Sequence, residues 1–163
     1  MTLASKKGVI GILTGGGDVP GLNPAIRGIT VRALREGFKV VGIRRGWEGL
    51  IRIDRNRKLE EQEFCQELSE ELVNKIGRTG GTFLHTSRTR PSHVSQKDVP
   101  EHLQGKYADK INDLTAEVLK NIEYLGIHYL IPIGGDDTLS YAARLQKEGV
   151  NIVAIPKTMD NDV

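Results

Sequence analysis

Short apolar runs alternate along the chain with segments in which apolar residues recur every three or four positions. The runs at 9–13, 38–43, 129–133 and 152–155 predict β-strands. The periodic segments, at 22–34, 109–125 and 138–148, predict helices. Because strands and helices alternate, the pattern predicts an α/β fold in which helices cover both faces of a mostly parallel sheet.

The middle of the chain is less regular. Residues 54–71 are highly charged, and we expect a loop followed by a helical segment that includes Cys65. Residues 80–91 predict a loop with a short extended piece. Residues 92–106 are polar, and we expect a mobile surface insertion there.

Composition limits the partners and the cellular setting. The 163 residues are enough for one domain with a real core, and the net charge of +2 does not by itself indicate nucleic acid or a membrane surface. The single cysteine cannot form an internal disulfide, and no apolar run approaches the ~20 residues of a membrane span. With no signal peptide recognised, we expect a reducing, cytoplasmic setting without nucleic-acid or membrane partners.

Two acidic loops, the first of them also rich in glycine, follow the last two predicted strands, at 134–138 and 157–162. The carboxyl ends of parallel strands meet at one edge of a sheet, so these loops should lie together. They carry four carboxylates, a cluster of like charge that is costly unless a cation lies among them. This pattern indicates a metal-assisted site for a phosphorylated substrate. The four acids are Asp136, Asp137, Asp160 and Asp162.

The first of these loops has features of a phosphate site. Gly134 and Gly135 expose backbone amides to phosphate oxygens, and Asp136 can hold Mg²⁺ directly or through water. A helix N-cap at Asp137 or Thr138 is the structural alternative. A cap explains one acid, and the second needs another reason.

The second loop combines a cation, a hydroxyl and two acids. Phosphoryl transfer to an alcohol needs a base near the hydroxyl, a metal and positive charge on the transferring group. Asp160 suits the base, Lys157 can stabilise the transferring phosphoryl, and Asp162 can orient the base or the metal. An Asx-rich turn is the alternative without chemistry.

A glycine-rich turn and a pair of arginines add candidate anion contacts. The glycines at 15–17 let backbone N–H groups approach an anion, with a predicted helix N-terminus behind them. This turn has neither a Walker loop nor the full dinucleotide-binding spacing, and a plain tight turn explains it equally well. Arg88 and Arg90 can pair bidentately with donor phosphates, with surface ion pairs as the alternative.

Four segments, at 16–23, 81–84, 134–136 and 158–162, resemble the 6-phosphofructokinase family in sequence and order. The resemblance runs from Val9 to Val163. It implies a Rossmann-like, doubly wound α/β fold, phosphorylation of fructose 6-phosphate at its 1-hydroxyl, and Mg²⁺ as cofactor. By this resemblance, we assign metal binding to Asp136 and the role of catalytic base to Asp160. The sugar contacts are assigned to Thr158, Asp160 and Asp162. The donor contacts are assigned to Gly16, Gly17, Arg88, Gly135 and Thr138.

Two positions bear on the phosphoryl donor. ATP-dependent members of the family typically have glycine where this chain has Asp137 and Lys157, whereas the pyrophosphate-dependent branch resembles this sequence at both. A carboxylate at 137 would occupy and repel the space of an ATP α-phosphate, and Lys157 would stabilise a pyrophosphate leaving group. We therefore count both as catalytic residues, and we expect pyrophosphate as the donor.

Other functions stay open from the sequence. One is an ATP-dependent phosphofructokinase, and a second is a NAD or lipid kinase, whose Gly-Gly-Asp loop does not account for segments 81–84 and 158–162. A third is an inactive fragment or a binding-only module. Family members are roughly twice this length or more, consistent with two domains. We expect 1–163 to be an incomplete, N-terminal donor-binding domain, the sugar-phosphate domain to lie beyond Val163, and the full protein to form a dimer or tetramer.

Overall fold

The computed structural model describes residues 7–160 and contains a mostly parallel sheet with helices on both faces. Within those residues the main sheet has five strands in the order β3-β2-β1-β6-β7, and only β3 runs antiparallel to its neighbour. A hairpin-like pair, β4 and β5, lies apart from it. The strands are β1 (Val9–Thr14), β2 (Lys39–Ile43), β3 (Cys65–Glu67), β4 (Val94–Ser95), β5 (Ile111–Asn112), β6 (Ile127–Gly134) and β7 (Ile155–Pro156). The helices are α1 (Leu22–Arg35), α2 (Gly46–Arg52), α3 (Glu70–Ile76), α4 (Thr115–Tyr124) and α5 (Asp136–Lys147).

Strand β1 is the centre of the fold. It lies between β2 and β6, and every one of its residues is buried. Ile10 and Ile12 join an apolar cluster with α1 and α3, whereas Val9 and Leu13 join a second cluster with α2, α4 and α5. Successive side chains of a strand point to opposite faces, so these two clusters cover the two faces of the sheet. The predicted doubly wound α/β fold is therefore confirmed.

The parallel pairing brings three loops to one edge of the sheet. Strands β1, β6 and β7 run in the same direction, with Thr14 opposite Ile133 and Gly134 opposite Pro156. Their carboxyl ends therefore lie side by side, and the chain leaves them through the glycine turn at 15–17, the loop at 135–138 and the segment at 157–160. This is the edge at which ligands bind in open α/β sheets.

Cys65 does not lie in a helix, and that prediction is wrong. It pairs with Ile43 in the antiparallel strand β3 at the edge of the sheet. The charged sequence around Cys65 has no strand pattern of its own, because this strand forms only by pairing with β2. Burial raises the pKa of the Cys65 thiol to about 11, so it stays protonated at neutral pH.

The prediction of a mobile surface insertion at 92–106 is also wrong. This segment contains β4 and two short 3₁₀ helices, at Gln96–Asp98 and Glu101–Leu103. Val94, Val99 and Leu103 are buried in the same cluster as α4. Three apolar residues spread through a polar segment gave no periodic signal, but together they anchor it to the core.

Two predicted elements are shorter than expected. The helix predicted from residue 109 begins at Thr115, because Ile111 and Asn112 pair with β4 instead. The strand predicted at 152–155 pairs regularly only at Ile155–Pro156, with an isolated bridge at Ile152. Helix α2 was not predicted, since it has seven residues and two of them are glycine.

A buried glutamate ties the 92–110 region to helix α4. Glu117 is 1% exposed, and its carboxylate accepts hydrogen bonds from Arg55, Lys106 and Tyr107. Burial raises the pKa of Glu117, but these donors outweigh burial and lower it to about 2. The chain thus keeps a compensated carboxylate inside the fold.

No helix among residues 7–160 is long and apolar enough to cross a membrane.

Candidate active site

The three loops at the carboxyl edge enclose a cavity of about 410 Å³. Backbone hydrogen bonds hold the loops together: Gly15 N donates to Ile133 O at 2.9 Å, and Lys157 N donates to Gly134 O at 3.0 Å. Many of the residues assigned from the sequence line this cavity, although they are far apart in the chain. Those residues are Gly16, Gly17, Arg88, Gly135, Asp136, Asp137, Thr138 and Lys157.

Lys157 brings positive charge to the glycine turn. Its Nζ donates a hydrogen bond to the carbonyl oxygen of Gly17 at 2.5 Å, and it lies 3.5 Å from the point that a Gly16 Cβ would occupy. Gly16 has φ of +77°, a conformation that L-residues with a side chain rarely adopt. The turn therefore leaves room for the lysine, which faces a cavity wall made of backbone.

Thr138 packs closely against the glycines at the ends of β1 and β6. It is 4% exposed, and its Oγ1 lies 2.3 Å from the point where a Cβ on Gly15 would be. A Cβ on Gly134 would lie 2.6 Å from the Cβ of Thr138. Glycine is therefore required at both positions for β1 and the start of α5 to come together. The structure places Thr138 on the cavity wall as a packing residue as well as a candidate donor contact.

The arginine loop forms another wall of the cavity. Gly16 N donates to Ser87 O at 3.4 Å, and the Thr14 hydroxyl donates to His85 O at 2.9 Å. These bonds fix the backbone on which Arg88 stands. Arg88 is exposed, lines the cavity and has no ion-pair partner in the described part of the chain. Its guanidinium is thus free to pair with an anion.

Asn23 organises the segment that leads into the arginine loop. Its buried side chain donates to Thr79 Oγ1 at 2.9 Å and accepts from Phe83 N at 2.8 Å. Its backbone N donates to Gly81 O at 3.0 Å. The sequence analysis assigned no role to this residue, since its partners lie about 60 positions away. Asn23 lies in the first turn of α1, so it couples the first and second of the four family segments, 16–23 and 81–84.

Trp47 was also missed as a lining residue. It comes from α2, is 3% exposed and packs edge-on against Tyr141 with ring centroids 4.9 Å apart. Its indole Nε1 is buried and has no hydrogen-bond partner within residues 7–160. Burial raises the pKa of Tyr141 to about 12, and its hydroxyl donates to Thr115 Oγ1 at 3.1 Å. Trp47 and Tyr141 give this side of the cavity a rigid aromatic support.

The predicted four-acid cluster is not present in the described residues. Asp162 lies outside them, and within 7–160 no three acidic, histidine or cysteine side chains are grouped as metal ligands. Asp137 instead forms an ion pair with Arg90, whose guanidinium compensates its charge without a metal ion. Asp136 lies in the first turn of α5 and lines the cavity beside Asp137 as an exposed carboxylate.

The second predicted acidic loop is only partly described. Lys157 lines the cavity, whereas Thr158 and Asp160 follow it outside the lining. Asp160 is exposed, and its backbone N donates to Thr158 Oγ1 at 3.1 Å in a local turn. This exposure leaves the Asp160 carboxylate accessible to a substrate hydroxyl. No contact from another element of the described chain covers it.

The cavity suits a magnesium-bound phosphate better than a metal held by protein alone. Mg²⁺ in phosphoryl-transfer sites keeps several waters and is held by one or two carboxylates together with substrate phosphates. The accessible carboxylate of Asp136, beside the free Arg88 and the amine of Lys157, fits that arrangement. The residues present therefore fit Mg²⁺ bound with its anionic substrate.

Comparison with known proteins identifies the family. The phosphofructokinase family profile matches residues 9–163. The chain belongs to the phosphofructokinase family. It is similar to a pyrophosphate–fructose 6-phosphate 1-phosphotransferase of Dictyoglomus thermophilum, with 40% identity over 94% of this chain and 37% of that protein. It is also similar to ATP-dependent 6-phosphofructokinase 3 of Streptomyces coelicolor, with 39% identity over 94% of this chain and 38% of that protein.

Solved structures place the fold in the same family. Pichia pastoris phosphofructokinase in the T-state superposes with a TM-score of 0.72 and 28% identity, over 95% of this chain and 16% of the other. The phosphofructokinase chain spans about two fifths of the length of the curated relatives it matches. The named relatives include both pyrophosphate-dependent and ATP-dependent enzymes, so the family is established and the donor is not.

Proposed function

We propose that the protein containing this chain transfers a phosphoryl group from pyrophosphate to the 1-hydroxyl of fructose 6-phosphate. The observation that carries the proposal is the placement of Asp137 and Lys157, both of which line the same cavity of about 410 Å³. A nucleotide that entered along the start of α5 would bring its α-phosphate towards the Asp137 carboxylate. A diphosphate ends before that point and can use the amine of Lys157.

The donor is held by groups that this chain supplies. The backbone of Gly16, Gly17 and Gly135 lines the cavity without side chains, so an anion can approach its amides closely. Arg88 pairs with donor phosphate oxygens, and Lys157 stabilises the charge on the leaving phosphate. Mg²⁺, when bound at Asp136, neutralises phosphate charge in the donor.

The transfer itself needs a base at the sugar. Asp160 accepts the proton of the 1-hydroxyl while the oxygen of that hydroxyl forms a bond to the terminal phosphorus of pyrophosphate. The bridging P–O bond of pyrophosphate breaks, and inorganic phosphate leaves. Thr158 and Asp162 are proposed to contact the sugar, the latter lying outside the described residues. The products are fructose 1,6-bisphosphate and inorganic phosphate, and the reaction is expected to be reversible.

The domain assignment follows from the same proposal. We infer that residues 1–163 belong to the N-terminal phosphoryl-donor-binding domain of a two-domain enzyme, without completing it, and that the enzyme acts as a homo-oligomer in the cytoplasm. The share of each relative that the chain covers supports this inference, since coverage of 37% and 38% leaves more than half of each relative for a second domain and the rest of the first. The residues that grip the sugar phosphate belong to that second domain.

An ATP-dependent phosphofructokinase is the second candidate. It is favoured by the 39% identity to an enzyme named ATP-dependent, almost equal to the 40% identity to the pyrophosphate-named enzyme. Phosphorus NMR separates the two. The intact protein, given fructose 6-phosphate, Mg²⁺ and pyrophosphate, should form fructose 1,6-bisphosphate and inorganic phosphate in equal amounts. Consumption of ATP, with pyrophosphate left unchanged, would reject pyrophosphate as the donor.

A further inference from the structure

An ion pair crosses the rim of the donor cavity. Arg90 Nη2 contacts Asp137 Oδ1, which joins the arginine loop to the first turn of α5. Asp137 lines the donor cavity, and Arg90 lines a neighbouring cavity of about 480 Å³. Residues 87–89 line both cavities. The ion pair therefore connects a residue of one cavity lining to a residue of the other.

The pair has little to do with folding stability. The side chains are 61% and 75% exposed, and ion pairs with this much solvent around them contribute little to the stability of the fold. The backbone around Arg90 is held by other contacts: His93 N donates to Arg90 O at 2.9 Å, and Leu114 N donates to Pro91 O at 2.7 Å. The loop thus keeps its place without the guanidinium.

The charge of Asp137 poses a problem for an anionic donor. Asp136 and Asp137 are adjacent on the cavity wall, and two uncompensated carboxylates would repel pyrophosphate from its own site. A guanidinium on Asp137 removes most of that repulsion and still leaves the carboxylate in place as a steric barrier. A planar guanidinium also fixes the direction of the carboxylate better than an ammonium does.

We propose that Arg90 is a positioning residue for donor selection: it neutralises Asp137 and holds its carboxylate across the passage between the two cavities. This inference rests on the proposed pyrophosphate-dependent function. A diphosphate binds inside the barrier at low electrostatic cost. A nucleotide would have to separate the ion pair in order to extend its nucleoside into the neighbouring cavity.

The test compares Arg90→Ala with a matched variant in the intact protein. Arg90→Ala should raise KM for pyrophosphate roughly tenfold while kcat stays within about twofold, because the ground-state charge balance changes and the reacting groups do not. Arg90→Lys should recover part of the loss. The control is Arg35→Ala, which removes another exposed arginine, far from the cavity. Arg35 pairs with Glu70 at an N–O distance of 3.2 Å, and its removal should leave both kcat and KM unchanged. An unchanged KM in Arg90→Ala, or a loss confined to kcat, overturns the role of Arg90.

A second background tests whether Arg90 acts through Asp137. In an Asp137→Asn protein the effect of Arg90→Ala on KM should disappear, since no carboxylate charge is left to neutralise. Equal effects in both backgrounds would mean that Arg90 touches the donor itself, which rejects positioning. Wild-type turnover with pyrophosphate is measured first. Its absence rejects the proposed function, whereas its presence with no Arg90 effect rejects this inference alone.

Discussion

Close contacts of single residues determine whether the loops around the cavity can pack together. Gly134→Ala would place a Cβ 2.6 Å from the Cβ of Thr138, which is buried and cannot move aside. We expect this variant to lose about 1–3 kcal/mol of unfolding free energy, as overpacked sites do. Urea unfolding of the intact protein measures the loss.

Gly28→Ala is the matched control for that substitution. Gly28 lies on the exposed side of α1, and a Cβ there would meet nothing within 4 Å. Because alanine favours the helix, this variant should gain up to about 1 kcal/mol. Equal stability of the two alanine variants would contradict the packing argument at Thr138.

The sequence predicted candidate site residues where their type and their place after a strand were sufficient. Gly16, Asp136 and Lys157 follow apolar runs, and parallel strands bring such positions to one edge. Asn23 and Trp47 could not be found in this way, because their roles depend on contacts with residues far along the chain. The ion pair of Arg90 with Asp137 was likewise foreseen only as the general alternative of a surface pair.

At the scale of elements, the hydrogen bonds and ion pairs of Glu117 hold the 92–110 region against α4. They also make the stability of the fold depend on pH. The pKa of Glu117 is lowered from 4.5 to about 2, so its contribution to stability is complete above pH 4.5 and is lost as the pH falls towards 2. The shift corresponds to a contribution of roughly 3 kcal/mol at neutral pH. Glu117→Gln should remove it.

The measurement is the unfolding free energy of the wild type and of Glu117→Gln between pH 7 and pH 2.5. The difference should be constant above pH 4.5 and shrink below it. Glu123→Gln, an exposed position on the same helix, is the control and should follow the wild type. A difference that does not change with pH would show that Glu117 contributes by shape alone.

Elements with strong internal patterns were predicted well, and elements that depend on partners were not. Strand β1 and helix α1 carry their own apolar periodicity and were placed within one or two residues. Strand β3 and the β4–β5 pair have three residues or fewer per strand and exist because a neighbour supplies their hydrogen bonds. A pattern read along one segment contains no information about that neighbour.

At the scale of the whole molecule, the proposed donor site is only part of what the proposed reaction needs, since the contacts to the sugar phosphate are assigned to a second domain. This chain covers only 37% and 38% of the length of the two curated relatives compared above. We therefore expect residues 1–163 by themselves to bind pyrophosphate with Mg²⁺ weakly, if at all, and to show no turnover with fructose 6-phosphate. A robust rate from this segment would contradict the two-domain proposal. Coupled assays with the intact protein at equal concentration provide the comparison.

The central claim is that Asp137 and Lys157, on the wall of the donor cavity, select pyrophosphate. The most direct test is the ratio of kcat/KM for pyrophosphate to kcat/KM for ATP, measured in the intact wild type and in Asp137→Gly. We predict a wild-type ratio well above one, and a fall of at least about tenfold in the variant through improved use of ATP. A wild type that prefers ATP, or a ratio unchanged by Asp137→Gly, would contradict the account.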